Sequence, residues 1–323
     1  MSGFWSHLVA PGFFESQAVH IGALAGGIVA VVAGVVGVFT VLRGQSFAGH
    51  AFGDITATGG SAAFLLSISP LVGFIGMGLV AGGCMEAVGV QRARGRDVAT
   101  GIVLGAALGV SALLLYFDTT FHSTSGATIT VLFGSLFAIT SSTVPAIAAC
   151  SAGMLAIVLV LYRPLLLSSV GDDIAAARGV PVRIVGAVFL FTVAVTVALA
   201  AMTVGAILST ALLIGPAATA LRVTKRPGTA MLVAAAVGVS ATLLGCLLAY
   251  DSFYWPPVHH GWPVSFFIVA LVFVFYVAID AGRWYQGHRL RRTSAGATAG
   301  AATIPARPLS DSEAWSPSAR SAT

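Results

Sequence analysis

The chain of 323 residues is 57% hydrophobic and only 8% charged, against roughly 25% charged in a soluble domain. Its mean hydropathy of +0.96 excludes an ordinary globular enzyme. The formal net charge of +5 is not a nucleic-acid footprint, because the basic residues are dispersed over the links between apolar runs.

Several of those runs reach the ~20 residues that a bilayer crossing needs. Residues 1–17 contain no Lys or Arg and lack the basic start of a signal peptide, so they read as a short outer segment. The first span is expected at about 18–42. The second, about 47–66, is unusually polar, and the third, about 70–90, opens on Pro70. A basic link, QRARGRD (91–97), leads to a fourth span at about 98–117 and then to a polar loop, DTTFHSTSGAT (118–128). Residues 129–139 are apolar but too short to cross, which suits a half-helix or a re-entrant turn. Further spans are expected at about 143–162, 184–204, 205–221, 229–250 and 264–282, with a polar segment at 163–183. From 283 to 323 the composition of Ser, Ala, Thr, Pro and scattered Arg points to a disordered cytoplasmic tail.

The positive-inside rule tests this layout. With the N-terminus outside, all sixteen Lys and Arg residues fall on the inner side, and the outer loops hold Asp118, His122, Asp251, His259 and His260 instead. The expected architecture is therefore an all-α bundle of about nine transmembrane helices over 18–282, with the C-terminus inside. Gly22 and Gly26, and the series Gly101, Gly105 and Gly109, have the spacing that lets helix backbones approach closely in lipid. Cys84, Cys150 and Cys246 are isolated in apolar segments and read as small packing residues.

No nucleotide-binding P-loop is present; the single lysine, Lys225, sits in VTKRPG. The hydrolase signatures GxSxG and HExxH are also absent. The chain is thus not expected to be an enzyme, and any ATPase would reside on another subunit.

Two stretches carry chemistry. In SSVGDDIAAARGVP (168–181), Asp172 and Asp173 suit the positive start of a short helix and Arg178 its negative end. Gly179 can take a left-handed cap, and Pro181 stops continuation. The spacing predicts an eight-residue helix standing out as a rigid knob that a cytoplasmic partner could grip; an ordinary amphipathic connector is the alternative. In RGQSFAGHAFGDITATGG (43–60), His50 and Asp54 share one helical face. Ionisable groups in a membrane segment are costly and face a cavity or a partner. Three readings stand at this point: N and O ligands for a transition metal, a proton relay, or a structural pair.

These stretches resemble the membrane (permease) subunits of zinc, manganese and iron ABC importers. RARGRDVATGIVLG (92–105) is similar to that family's basic link followed by Asp, and VLFGSLFAIT (131–140) to its Leu-Phe-Gly segment. YRPLLLSSVGDDIAAARGVPVR (162–183) resembles its ATPase-contacting loop, and VGAILSTALLIGPAATA (204–220) its Pro-Ala-Ala-Thr helix. The stretch around His50 resembles a second helix that runs Gly-Asp-x-x-x-His-x-x-x-Pro-Gly. Here the order is reversed: His50 takes the Asp position, Asp54 the His position, and Thr58 replaces the Pro.

The resemblance implies a subunit of an ATP-driven importer in a bacterial cell membrane. It implies a second permease subunit, identical or closely related, around a central path lined by His50 and Asp54. A cytoplasmic ABC ATPase dimer would dock on Asp172, Asp173, Ala176, Arg178, Gly179 and Pro181. An extracytoplasmic metal-binding lipoprotein would deliver zinc, manganese or iron, the transported ion being the cargo and not a bound cofactor. His122, His259 and His260 could assist at the outer mouth; their plainer reading is surface-loop histidines. Glu86 is expected to pair with the Arg cluster of the 91–97 link. The rivals are a siderophore or cobalamin permease, an intramembrane metalloenzyme and a proton-coupled carrier.

Overall fold

The computed structural model describes residues 13, 15–88, 96–121, 126–134, 136–254 and 261–301. Its helices are α1 (Gln17–Leu42), α2 (Ser46–Leu65), α3 (Pro70–Val88), α4 (Arg96–Phe121), α5 (Ala127–Phe133), α6 (Val144–Val160) and α7 (Tyr162–Val170). They continue with α8 (Asp172–Ala177), α9 (Val182–Val204), α10 (Ala206–Val223), α11 (Pro227–Ser252) and α12 (Val264–Ala301), and a 3-10 turn at Leu136–Ala138 follows α5. No strand occurs among the described residues. Met1–Ile279 forms one compact unit, and Asp280–Thr323 is a second, helical as far as Ala301.

Seven helices are long and apolar enough to cross a membrane, and α6 with α7, bent by 59°, makes an eighth candidate. Of the expected spans only α2 falls outside this set. It has 20 residues, enough in length, but its Gly, His, Asp, Thr and Ser dilute its hydropathy. Such a helix is tolerable in lipid only when neighbours cover its polar groups. α2 is covered by α3, α4, α9 and α10. α1 and α9 are the most enclosed helices, whereas α4 and α12 keep most of their surface outward.

Small residues set the closest approaches. A Cβ on Gly37 would lie 1.9 Å from Leu213 O, and one on Gly59 would lie 2.1 Å from Gly73 O, so α1 meets α10 and α2 meets α3 backbone to backbone. Gly22 and Gly26 pack as expected, against Leu136 and Thr242. The α4 series does not: Gly101, Gly105 and Gly109 have nothing within 4 Å. The spacing permits close approach but does not say which way the face turns.

α9 and α10 are joined by Gly205 alone, at φ +99°, and Gly134 after α5 sits at φ +79°. The two glycines meet, a Cβ on Gly205 falling 2.3 Å from Leu132 O. Both positions need φ > 0 and no side chain, which only glycine supplies cheaply.

Four expectations change. The 163–183 segment, expected as a polar link, begins with a helix, α7, whose Pro164 is tolerated in the first turn and whose Leu165 is fully buried. The coupling helix is six residues long rather than eight. Asp118, expected in an outer loop, lies inside α4 and is 1% exposed, because α4 runs on to Phe121. α12 continues to Ala301, past the expected end of the last span near 282.

Basic residues gather at one end of Met1–Ile279. Arg43 and Asp172 line the same small cavity. Arg183 lies 3.9 Å from Glu86; Arg92 and Arg94 of the 91–97 link, toward which the sequence pointed Glu86, lie outside the described residues. Arg222 donates to the Tyr276 hydroxyl at 2.8 Å and covers its ring. The opposite end carries α5, the 3-10 turn, the last residues of α9 (Thr203 and Val204) and Trp262, which border a cavity of about 340 Å³.

Candidate functional site

His50 and Asp54 stand one turn apart on α2, and glycines bring them to α10. A Cβ on Gly53 would lie 2.6 Å from Ser209 Oγ, and one on Gly49 would lie 2.8 Å from Leu213 Cδ2. This close crossing lets the His50 Nδ1 reach Thr210 Oγ1 at 3.0 Å. On the other side of the ring, Nε2 is 3.7 Å from Asp54 Oδ2. That is too long for a hydrogen bond. The His50 side chain is 45% exposed and that of Asp54 13%.

The arrangement suits passing coordination of a cation. With the proton on Nδ1 donated to Thr210, the Nε2 lone pair is free on the side of Asp54. Two donors each about 2.1 Å from one ion can be at most about 4.2 Å apart. The observed 3.7 Å meets that condition. Thr210 would then fix the ring as an outer partner of a metal-binding histidine does. Among the described residues there is no group of three or more His, Cys, Asp and Glu placed to hold a metal ion. One chain therefore offers two donors here.

The sequence did not single out Thr210, which is 160 positions from His50. Its only signal was a pair of adjacent hydroxyls, Ser209 and Thr210, in the otherwise apolar first half of α10. The 340 Å³ cavity does not touch His50 or Asp54; its wall is largely aromatic and aliphatic, with Phe133, Leu136, Phe137 and Trp262.

The second predicted group is at the basic end. α8 opens with Asp172 and Asp173 in its first turn and ends at Arg178. Gly179 has φ +78°. Its N–H reaches Ala176 O at 2.9 Å, and the Val180 N–H reaches Ala175 O at 3.1 Å. That pairing is the Schellman C-cap expected from Gly179. Ala175 is buried against the protein, while Asp172, Asp173, Ala176, Arg178, Gly179 and Pro181 are exposed. The helix is anchored on one face and presents its charged residues on the other. His122, His259 and His260, expected at an outer mouth, lie outside the described residues.

Comparison with known proteins shows the family and the fold. Residues 16–279 match the family described as the ABC 3 transport family. The manganese import system permease protein ScaB of Streptococcus parasanguinis is 29% identical over 227 residues, covering 69% of this chain and 78% of its own. The manganese transport system membrane protein MntC of Halalkalibacterium halodurans is 28% identical over 218 residues, covering 68% and 74%. Among solved structures, PsaBC from Streptococcus pneumoniae in complex with Fab superposes with a TM-score of 0.71 at 25% identity, over 83% of this chain and 92% of that one.

Proposed function

The chain belongs to the ABC 3 transport family, and on that premise we propose that it is the membrane subunit of an ATP-driven importer of a divalent transition metal ion. Manganese is the first cargo to test, because the similar ScaB and MntC are named for manganese transport. Zinc and iron suit the same N and O donors. The observation that carries the reading is the imidazole and carboxylate held 3.7 Å apart on α2, with the ring oriented by Thr210.

Two donors from one chain are a thin coordination sphere. A second permease subunit related by a two-fold axis would double them around a shared path. The reversed order of His50 and Asp54 relative to the family pattern leaves this set unchanged, since one nitrogen and one oxygen per chain remain. Weak, exchangeable ligation is what a transport path needs, because an ion must leave as readily as it enters.

α8 is the proposed grip for a cytoplasmic ABC ATPase dimer. Closure of that dimer on ATP would push the 171–181 segment, and the bundle halves would shift about the path. The N-terminus would lie outside and the tail inside, with an extracytoplasmic metal-binding lipoprotein feeding the outer mouth. A siderophore or cobalamin permease would need a wide path and no such pair, and a proton-coupled carrier would need no ATPase.

The test is uptake in proteoliposomes by the complete complex, with radioactive manganese(II), ATP inside and the binding protein outside. The parent complex is expected to accumulate manganese, and His50→Ala and Asp54→Ala are expected to fall to background while the complex stays assembled. Uptake at the parent rate in both variants would remove the pair from the mechanism. Purification from native membranes with no associated ATPase would favour the carrier instead.

A further inference from the structure

The three-residue link between α1 and α2 is a tight cap. The Arg43 N–H bonds Phe39 O at 2.9 Å, the Gly44 N–H bonds Val41 O at 3.1 Å, and the Gln45 N–H bonds Thr40 O at 2.9 Å. These bonds leave the link little freedom, so its motion is passed to α2, which starts at Ser46. From this link the Arg43 guanidinium reaches two other helices. Its Nη1 donates to Ser168 Oγ on α7, and its central carbon lies 5.7 Å from the centroid of the Phe189 ring on α9.

Ser168 is 8% exposed. Its hydroxyl proton is directed to Leu165 O at 3.2 Å, which leaves oxygen lone pairs for Arg43. It sits four positions before Asp172, and α7 gives way to α8 at Gly171. Arg43, Gln45, Ser168, Ser169 and Asp172 border one polar cavity of about 120 Å³. The root of α2 and the start of the coupling helix therefore share one charged, partly buried junction. Hydrogen bonds to a charged group in such a setting are stronger than neutral ones.

We propose that Arg43 is a positioning residue that fastens the α7–α8 segment to the root of α2, so that a displacement of α8 is delivered along α2 to His50 and Asp54. The proposal rests on the importer reading above and adds the route by which the nucleotide step reaches the metal ligands. α2 has the geometry of a lever: it is held at its root by the capped link, and the ligand pair lies within its first three turns. Lysine at 43 could still donate to Ser168, but it lacks the flat fork that also stacks on Phe189.

The test uses the complete complex in proteoliposomes and reads manganese(II) moved per ATP hydrolysed, alongside the midpoint of thermal unfolding. Ser168→Ala and Arg43→Met are each expected to lower that ratio about tenfold. The double variant is expected to lose no more than Arg43→Met alone, because both substitutions break the Arg43–Ser168 contact. Arg43→Lys, which keeps a donor, is expected to retain most of the ratio. The proposal is overturned by an unchanged ratio in the single variants, by losses that multiply in the double variant, or by uptake that falls only in step with loss of assembled complex. A parent complex that hydrolyses ATP but moves none of manganese(II), zinc(II) and iron(II) defeats the importer reading itself, and this proposal with it.

Discussion

His50 is flanked by two groups that sequence distance treats differently. Asp54 is its neighbour by helical periodicity alone, and the pair is readable from one stretch of sequence. Thr210 becomes its neighbour only because α2 and α10 cross at Gly49 and Gly53. The hydroxyl holds Nδ1 at 3.0 Å, so removing it should leave both ligands in place yet free the ring to turn. Thr210→Val is expected to raise the KM for manganese uptake roughly 10- to 100-fold, the usual loss when the outer partner of a metal-binding histidine is removed. Kinetics of uptake measure this, and a KM equal to the parent's would show that Thr210 does not orient the imidazole. The same contrast holds at Arg43: its positive charge and inner placement follow from the sequence, whereas its bond to Ser168, 125 positions away, does not.

At the level of elements, α8 was the most legible. Its acidic start, glycine cap and proline stop are local signals, and each is found where the spacing put it. Its length was overestimated because the cap closes at Arg178, ending the helix before Gly179. Replacing Asp172 and Asp173 by Lys reverses charges that are exposed and stabilise the helix start. It is expected to leave the permease folded but abolish stimulation of the ATPase; unchanged stimulation in reconstituted complexes would reject α8 as the grip. α7 was invisible because a short amphipathic helix lying at 59° to its neighbour has neither the length nor the hydropathy of a span. The α2–α10 contact can be probed through Gly53. A methyl group there would sit 2.6 Å from Ser209 Oγ and 3.1 Å from Ala206 O. Gly53→Ala is expected to destabilise the complex by about 1–3 kcal/mol through overpacking, seen as a lower thermal midpoint. Gly83→Ala, with nothing within 4 Å, is the control and should unfold at or above the parent temperature. Equal midpoints for the two would show that the crossing is looser than described.

For the whole molecule, Arg43 and Arg183 lie at the end that carries α8, and the charge rule expects that end on the inner side. A single cysteine placed at Asp173 or Ala176, in a variant lacking Cys84, Cys150 and Cys246, is expected to resist a membrane-impermeant thiol reagent in intact cells and to react in inverted vesicles. Labelling from outside would invert the topology and detach α8 from any cytoplasmic ATPase. Membrane class, span order and the two local constellations were determined by the sequence alone. They depend on composition, charge asymmetry and helical periodicity, all of which act over a few residues or over a whole loop. What only the tertiary structure decided is who meets whom: Thr210 against His50, Arg43 against Ser168, Glu86 against Arg183, and an α4 glycine face that meets nothing among the described residues. In lipid the apolar faces of all spans are nearly equivalent, so hydropathy cannot choose partners. That choice is made by close packing of small residues and by a few polar contacts between segments far apart in the chain.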